Sequence, residues 1–372
     1  NSEHSFPTRR SSDLGLTDGT YQVDVIALNS AGQWQAQEAA TSAIWTMDSA
    51  PPARLQINEI LASNVGAVDH AGTVPDMVEL FYDAPPGAPA LNLRDMSLSD
   101  DPASPRKFVF LGDAVLEPGG YLTLFADRDS STPGLHLGFA LDASGDALYL
   151  YDSLAGGGDL LDGVQFGLQA ADLSIGVVQG QWQLTQPTFG LANRAQPTAE
   201  ATALRINEWL ASGQVRLPDD FIELYNTDSL PVALGGLSLS DSPVPQPQKH
   251  QIAPLSFIAA NGFLAFWADG DAEAGPDHLS FKLAANQGMI GLADLSGDLL
   301  DTVLYYSQTT DVSQGRLPDG EVDIGFFRLP TPGLKNVVVT ATTTTVHPLA
   351  MDSTWSYYQA GDAGTTWMQP GF

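Results

Sequence analysis

The chain has 372 residues, 43% of them apolar and 16% charged, which is enough to bury two or three cores and too apolar for a disordered polymer. Asp and Glu outnumber Lys and Arg 44 to 15, and the formal net charge of -29 repels nucleic-acid phosphates and anionic membrane surfaces while leaving cations as charged partners. Cysteine is absent, excluding disulfides, thiolate metal sites and cysteine nucleophiles, and no apolar run reaches the roughly 18 residues of a membrane span.

Residues 1–14 have neither strand nor helix period, resemble a translated sequencing-adapter segment and are expected to be non-native. In residues 15–47, the alternation of Tyr21, Val23, Val25 and Ala27 predicts a half-buried strand. The turn residues Asn29 to Gly32 predict a hairpin into a second strand around Trp34, and the pair is expected to close an Ig-like or fibronectin-III-like domain. Residues 48–54, with Pro51 and Pro52, read as a linker.

An internal repeat follows. Leu55-Gln-Ile-Asn-Glu-Ile-Leu-Ala-Ser63 returns as Leu204-Arg-Ile-Asn-Glu-Trp-Leu-Ala-Ser212, and the agreement continues in order. Glu79-Leu80 matches Glu223-Leu224, Asp159-Leu-Leu-Asp162 matches Asp298-Leu-Leu-Asp301, and Pro187-Thr-x-Gly190 with Asn193 matches Pro330-Thr-x-Gly333 with Asn336. Short strands such as Tyr121–Phe125 and Ala147–Tyr151 alternate with Gly, Pro, Asp and Asn turns, and no stretch keeps a helical period. The fold class expected is all-β, with two tandem β-sandwich domains at 55–195 and 204–337 and truncated β-domain fragments at both ends. Residues 196–203 and the Thr-rich 338–346 are expected linkers, so the two copies should be separable, and 347–372 resembles the start of a jelly-roll, galactose-binding-like domain.

The order Ile-Asn-Glu, Glu-Leu-Tyr-Asn, Leu-Ser-Asp, Gly-Arg-x-Pro-Asp-Gly and Thr-Pro-Gly-x-x-Asn resembles bacterial lamin-tail domains. The second copy carries Glu223-Leu-Tyr-Asn226, Gly315-Arg-Leu-Pro-Asp-Gly320 and Thr331-Pro-Gly333 intact, whereas the first departs at Phe81-Tyr82 and at Gly176-Val-Val-Gln-Gly180. The resemblance implies an Ig-like sandwich serving as an interaction or tethering module of a large exported protein, without catalytic residues.

The residues themselves offer little chemistry. The nearest strings to a Gly-x-Ser-x-Gly elbow, Asp172 to Gly176 and Asp311 to Gly315, begin with Asp and recur as a matched structural turn. His136 and His278 read as hydrogen-bonded turn residues. The strand glutamates Glu59, Glu79, Glu208 and Glu223 read as carboxylates bonded to turn amides rather than as an acid/base pair. Asp127 with Asp129, and Asp269 with Asp271, place alternate carboxylates in a turn and are the candidate calcium ligands, without the full 12-residue EF-hand spacing. Trp182, Trp209 and Trp267 read as packing residues ahead of sugar platforms.

The function expected is a non-enzymatic structural or adhesive module at the cell surface or in the extracellular space. Such a module would be monomeric, need no cofactor unless calcium, and take a protein or a surface polysaccharide as its partner. The alternatives are an accessory region of an exported enzyme and a calcium-dependent carbohydrate-binding module.

Overall fold

The computed structural model describes residues 19–28, 32–47, 53–128, 131–338 and Gly361. The expected adapter segment 1–14 and nearly all of the expected C-terminal fragment 347–372 lie outside the described residues. Among those described there is no α-helix, only three short 3₁₀ turns. Strands β1 (Gly19–Val25) and β2 (Thr41–Met47) form an antiparallel pair. The partner of β1 is therefore not the segment around Trp34, which makes only an isolated bridge to Leu28. Gln35 widens the connection: its backbone N–H donates to the Ala27 carbonyl (2.8 Å) while its side chain accepts from the Ala27 N–H (3.1 Å).

The first repeat runs through β3 (Arg54–Leu61), β4 (Asp76–Asp83), β5 (Leu91–Asn92), β6 (Ser97–Ser99), β7 (Phe108–Val109), β8 (Val115–Leu116) and β9 (Tyr121–Ala126). It continues with β10 (Asp146–Tyr151), β11 (Leu160–Phe166), β12 (Ser174–Val178), β13 (Gln181–Gln186) and β14 (Arg194–Ala195). Hydrogen bonding arranges these as a six-stranded sheet β14-β13-β12-β3-β4-β9, a four-stranded sheet β11-β10-β6-β7 and the small pair β5-β8. Ile57, Ile60, Val78 and Leu80 from one sheet meet Leu98, Leu148 and Leu150 from the other, with none of the seven exposed. Two antiparallel sheets that each bury one apolar face against the other make a β-sandwich.

The second repeat comprises β15 (Leu204–Leu210), β16 (Phe221–Asn226), β17 (Val232–Ala233), β18 (Ser238–Ser240), β19 (His250–Gln251) and β20 (Phe257–Ile258). It ends with β21 (Phe263–Trp267), β22 (Gly288–Ala293), β23 (Leu299–Tyr305), β24 (Ser313–Arg316) and β25 (Ile324–Phe327). Its sheets, β21-β16-β15-β24-β25 and β19-β18-β22-β23 with the pair β17-β20, reproduce the first repeat strand for strand apart from β14. Trp209, buried in this core, fills the place of Ile60.

Strands β3 and β15 are buried on both faces, which is unusual for an antiparallel sheet with a nominally solvated side. Each carries a bulge, between Ile57 and Glu59 and between Ile206 and Glu208, that turns Asn and Glu away from the sandwich core. The amide before each bulge is held by a carboxylate from the opposite sheet: Ile57 N–H donates to Asp162 and Ile206 N–H to Asp301, both at 2.8 Å.

The expected separability of the two copies does not hold in the structure. Gly167 N–H donates to the Pro254 carbonyl (3.0 Å), Phe257 N–H donates to the Leu168 carbonyl (2.8 Å), and Gln169 Nε2 donates to the Leu255 carbonyl (2.8 Å). The core side chains are exchanged: Phe257 of the second repeat packs in the first core, and Leu168 of the first packs in the second. Residues 196–203 form a packed strap, with Ala199 N–H bonded to the Pro231 carbonyl (2.8 Å) and Ala199, Ala201 and Ala203 against the second core. The short connection leaves apolar rims side by side, and burying them together is more favourable than hydrating each.

Phe257→Ala is expected to destabilise by about 3–5 kcal/mol, the range for truncating a buried aromatic. The loss should register in the first repeat: hydrogen exchange of β6 and β10 should quicken although the substitution lies in the second. Exchange that changes in the second repeat alone would mean that the halves open independently.

Candidate functional site

The outward side of each larger sheet carries a pair of glutamates, Glu59 opposite Glu79 and Glu208 opposite Glu223, and all four are fully buried. Their cover is the Pro-Thr-x-Gly turn that closes each repeat. Glu59 accepts from Thr188 N–H (3.0 Å), from the Thr188 hydroxyl (3.3 Å) and from the Ser174 hydroxyl (2.6 Å). Glu79 accepts from Asn58 Nδ2 (2.8 Å) and from Gly190 N–H. The second repeat repeats the arrangement: Glu208 accepts from Thr331 N–H (3.1 Å), from the Thr331 hydroxyl (2.9 Å) and from the Ser313 hydroxyl, and Glu223 accepts from Asn207 Nδ2 (2.9 Å) and Gly333 N–H (2.8 Å).

Burial pushes the Glu79 carboxyl up to about 7, and the facing Glu59 adds like charge. Burial likewise lifts Glu223 to about 8, with Glu208 again contributing. Glu59 and Glu208 are also raised by burial, against the pull of their hydroxyl and amide donors. Such values would suit acid/base chemistry, but these carboxyls have neither an opening to solvent nor a reacting group beside them. Their donors are fold elements, as the sequence reading of turn-bonded carboxylates has it.

Asn193 and Asn336 fasten the same cover from its other end. Asn193 Nδ2 donates to the Asn58 carbonyl (2.8 Å), and Asn336 Nδ2 to the Arg316 carbonyl (2.9 Å). Gly315 is required by this approach, since a Cβ there would stand 2.5 Å from the Asn207 carbonyl oxygen and 2.8 Å from Asn336 Nδ2. The matched Asp-x-Ser-x-Gly turns are also structural. Asp172 accepts from Val65, Gly66 and Ala67 N–H (2.8, 2.8 and 2.9 Å), Asp311 accepts from the corresponding Gln214 and Val215 (2.9 and 3.0 Å), and Ser174 and Ser313 are fully buried.

The Gly-Arg-Leu-Pro-Asp-Gly motif of the second repeat is a latch. Arg316 Nη2 donates to both oxygens of Asp301 at 3.0 Å and its Nε to the Ile206 carbonyl at 2.8 Å, while Asp319 accepts from Asn207 Nδ2 (3.1 Å) and Asn336 N–H (3.1 Å). In the first repeat Val177 stands in place of Arg316, and the corresponding turn closes through Gln179 and Gly180, both at positive φ.

Of the candidate calcium ligands, Asp127 and Asp269 are each engaged by a histidine, His136 Nδ1 at 2.7 Å and His278 Nδ1 at 2.6 Å. Asp271 donates its N–H to Asp269 (3.0 Å), and Asp129 lies outside the described residues. Among the described residues no three His, Asp or Glu side chains converge as a metal site requires. Trp209 is core, Trp267 meets Phe221 edge-on at 6.3 Å, and Trp182 packs against the first core and lines a groove at the junction of the repeats. That groove encloses about 280 Å³, and a second, of about 410 Å³, runs along Phe166, Pro254 and Pro276. Among the described residues Asp146 is the one ionisable side chain on the walls of the two.

Sequence comparison agrees with this geometry in part. The model of the Lamin Tail Domain family matches residues 197–308, most of the second repeat. No curated protein and no solved structure matches the chain. The region matched is thus similar in sequence to lamin-tail domains, and the structure places it in an all-β sandwich, as an Ig-like fold requires. Sequence reasoning missed Asn58 and Asn207 as donors to the glutamate pair and Asp162 and Asp301 as braces of the bulge. Their signal was identity at matched positions of both repeats. It missed Leu168 and Phe257 altogether, because there the repeats differ.

The four raised carboxyls set a pH dependence of stability. A carboxyl whose folded pKa exceeds its unfolded value of about 4.3 holds its proton in the native state while the unfolded chain has released it, so stability falls as pH rises through that window. The melting temperature is therefore expected to climb as pH drops from 8 towards 5, and Glu223→Gln should flatten the slope above pH 6 in thermal melts. Thr331→Val, which strips one donor from Glu208, should cost about 1–3 kcal/mol in denaturant unfolding.

Proposed function

We propose that the chain is a non-catalytic interaction and tethering segment of a large exported bacterial protein, in which residues 55–195 form a second lamin-tail-like sandwich in tandem with the matched one. The observation that carries the reading is where the buried polar groups point. Each glutamate pair, each buried serine of the Asp-x-Ser-x-Gly turns and the Arg316–Asp301 pair is committed to the fold's own turns, and among the described residues none of them lines the grooves of the repeat junction. What the molecule offers outward is strand edges and the grooves of the repeat junction, surfaces suited to macromolecular contact. Its acidic composition supports an extracellular or cell-surface setting, where a net charge of -29 favours solubility. The exchanged core residues support a stiff spacer, since the two sandwiches cannot swivel without exposing Phe257 and Leu168.

Purified protein offered chromogenic esters, phosphates and glycosides is expected to show no turnover above buffer. Turnover abolished by Ser174→Ala or by Glu79→Gln would overturn the non-catalytic reading. Glycan binding lost on adding chelator would replace tethering with calcium-dependent carbohydrate recognition.

A further inference from the structure

The contact that joins the two repeats is heterologous: the segment after β11 of the first docks on the segment before β20 of the second. Because the fold is repeated, each surface has a counterpart at the far side of the other repeat. The counterpart of Gly167-Leu-Gln169 is Tyr306-Ser-Gln308, since Phe166 and Tyr305 end equivalent strands and Gln169 and Gln308 bond equivalent carbonyls, Ala143 and Ala285. The counterpart of Ala253 to Phe257 is Leu111 to Val115, since Leu93 N–H bonds the Ala114 carbonyl as Leu234 N–H bonds that of Ser256, each at 2.8 Å.

Both counterparts are open. Tyr306 is 68% exposed, Leu111 87% and Val115 57%. The backbone is also turned correctly. In an antiparallel pair, hydrogen-bonded and non-bonded positions alternate, so the bond at Leu93–Ala114 leaves the Val115 N–H facing outward, as Phe257 N–H does where it reaches the Leu168 carbonyl.

The side chains have changed in a complementary way. At the internal junction Gly167 lies so close to the Ser256 hydroxyl that no Cβ fits. On the free surfaces the glycine has become Tyr306 and the serine Ala114, and beside Ala114 lies a groove of about 260 Å³ walled by Phe108, Phe110, Leu111 and Leu135. An exposed aromatic ring stands on one end and an apolar groove on the other. Asp113, paired with Arg94 (2.9 Å), also lines the groove and is a polar partner for the hydroxyl of a phenol seated there.

We propose that a second copy of this chain docks head to tail, the Tyr306 segment of one molecule seated on the Leu111–Val115 surface of the next, repeating between molecules the junction made once within each. A contact of this kind does not close on itself, so it propagates into a row of sandwiches. This goes beyond the tethering reading and differs from the monomer expected from the sequence; its failure would leave that reading standing, because a single copy tethers equally well.

Sedimentation velocity on the full chain tests it, run up to about 1 mM because an interface this small is of the weak, transient size. Salt at 0.5 M should favour association by screening the acidic surfaces. The weight-average mass is expected to rise with concentration past the dimer. Tyr306→Ser and Leu111→Asp, both at exposed positions and checked by unchanged melting temperatures, should each hold the protein as monomer. Mixed together, the two variants should stop at dimer, because one retains only the groove and the other only the tyrosine. A constant monomer mass for the unmodified chain, or association that survives both substitutions through some other surface, would overturn the proposal.

Discussion

A carboxylate carried on a strand and then taken out of water must be met by donors, and in this protein that need organises everything around β3 and β15. The bulge in each strand presents Asn and Glu outward, the neighbouring strand adds a second Glu, and only the closing Thr-x-Gly turn brings enough N–H and O–H groups to satisfy both. Leaving either carboxyl without them would strand an unsatisfied polar group in a site that excludes solvent, at a cost of about 1–3 kcal/mol and more where the group is ionised. The turn therefore cannot drift from the sheet, and each repeat has its C-terminal end fixed over its first strand. That closure also explains why Asn58, Glu59 and Glu79, and Asn207, Glu208 and Glu223, are buried on a face that the fold leaves open.

The two repeats solve the remaining fastening differently. In the second, Arg316 joins Asp301 to the backbone of β15, and Asp319 ties Asn207 to the closing segment. In the first, Asp162 holds the bulge amide alone and a tight turn at Gln179 and Gly180 shortens the hairpin, while β14 adds a strand that the second repeat lacks among the described residues. A buried ion pair and an extra strand are two ways of stabilising the same corner.

The junction departs most from the modular picture. Sandwiches in series usually meet through small polar interfaces that allow relative motion. Here a phenylalanine and a leucine cross over to complete each other's cores, and backbone hydrogen bonds seal the exchange. Mechanical and thermodynamic coupling follow from that geometry.

Much of this was legible in the sequence. Period-two alternation and close-set Gly, Pro and Asp turns define an all-β chain, because strands that bury one face must alternate and must reverse often. The repeated Ile-Asn-Glu, the paired Glu and the closing Pro-Thr-x-Gly with Asn mark the structural frame, since a buried polar arrangement tolerates little change between copies. Only the tertiary structure decided that these pieces form one closed network, and that Leu168 and Phe257 serve cores not their own. The reason is physical: the network joins residues more than a hundred positions apart, and the junction depends on the places where the repeats have diverged, so neither periodicity nor self-similarity carries its signal.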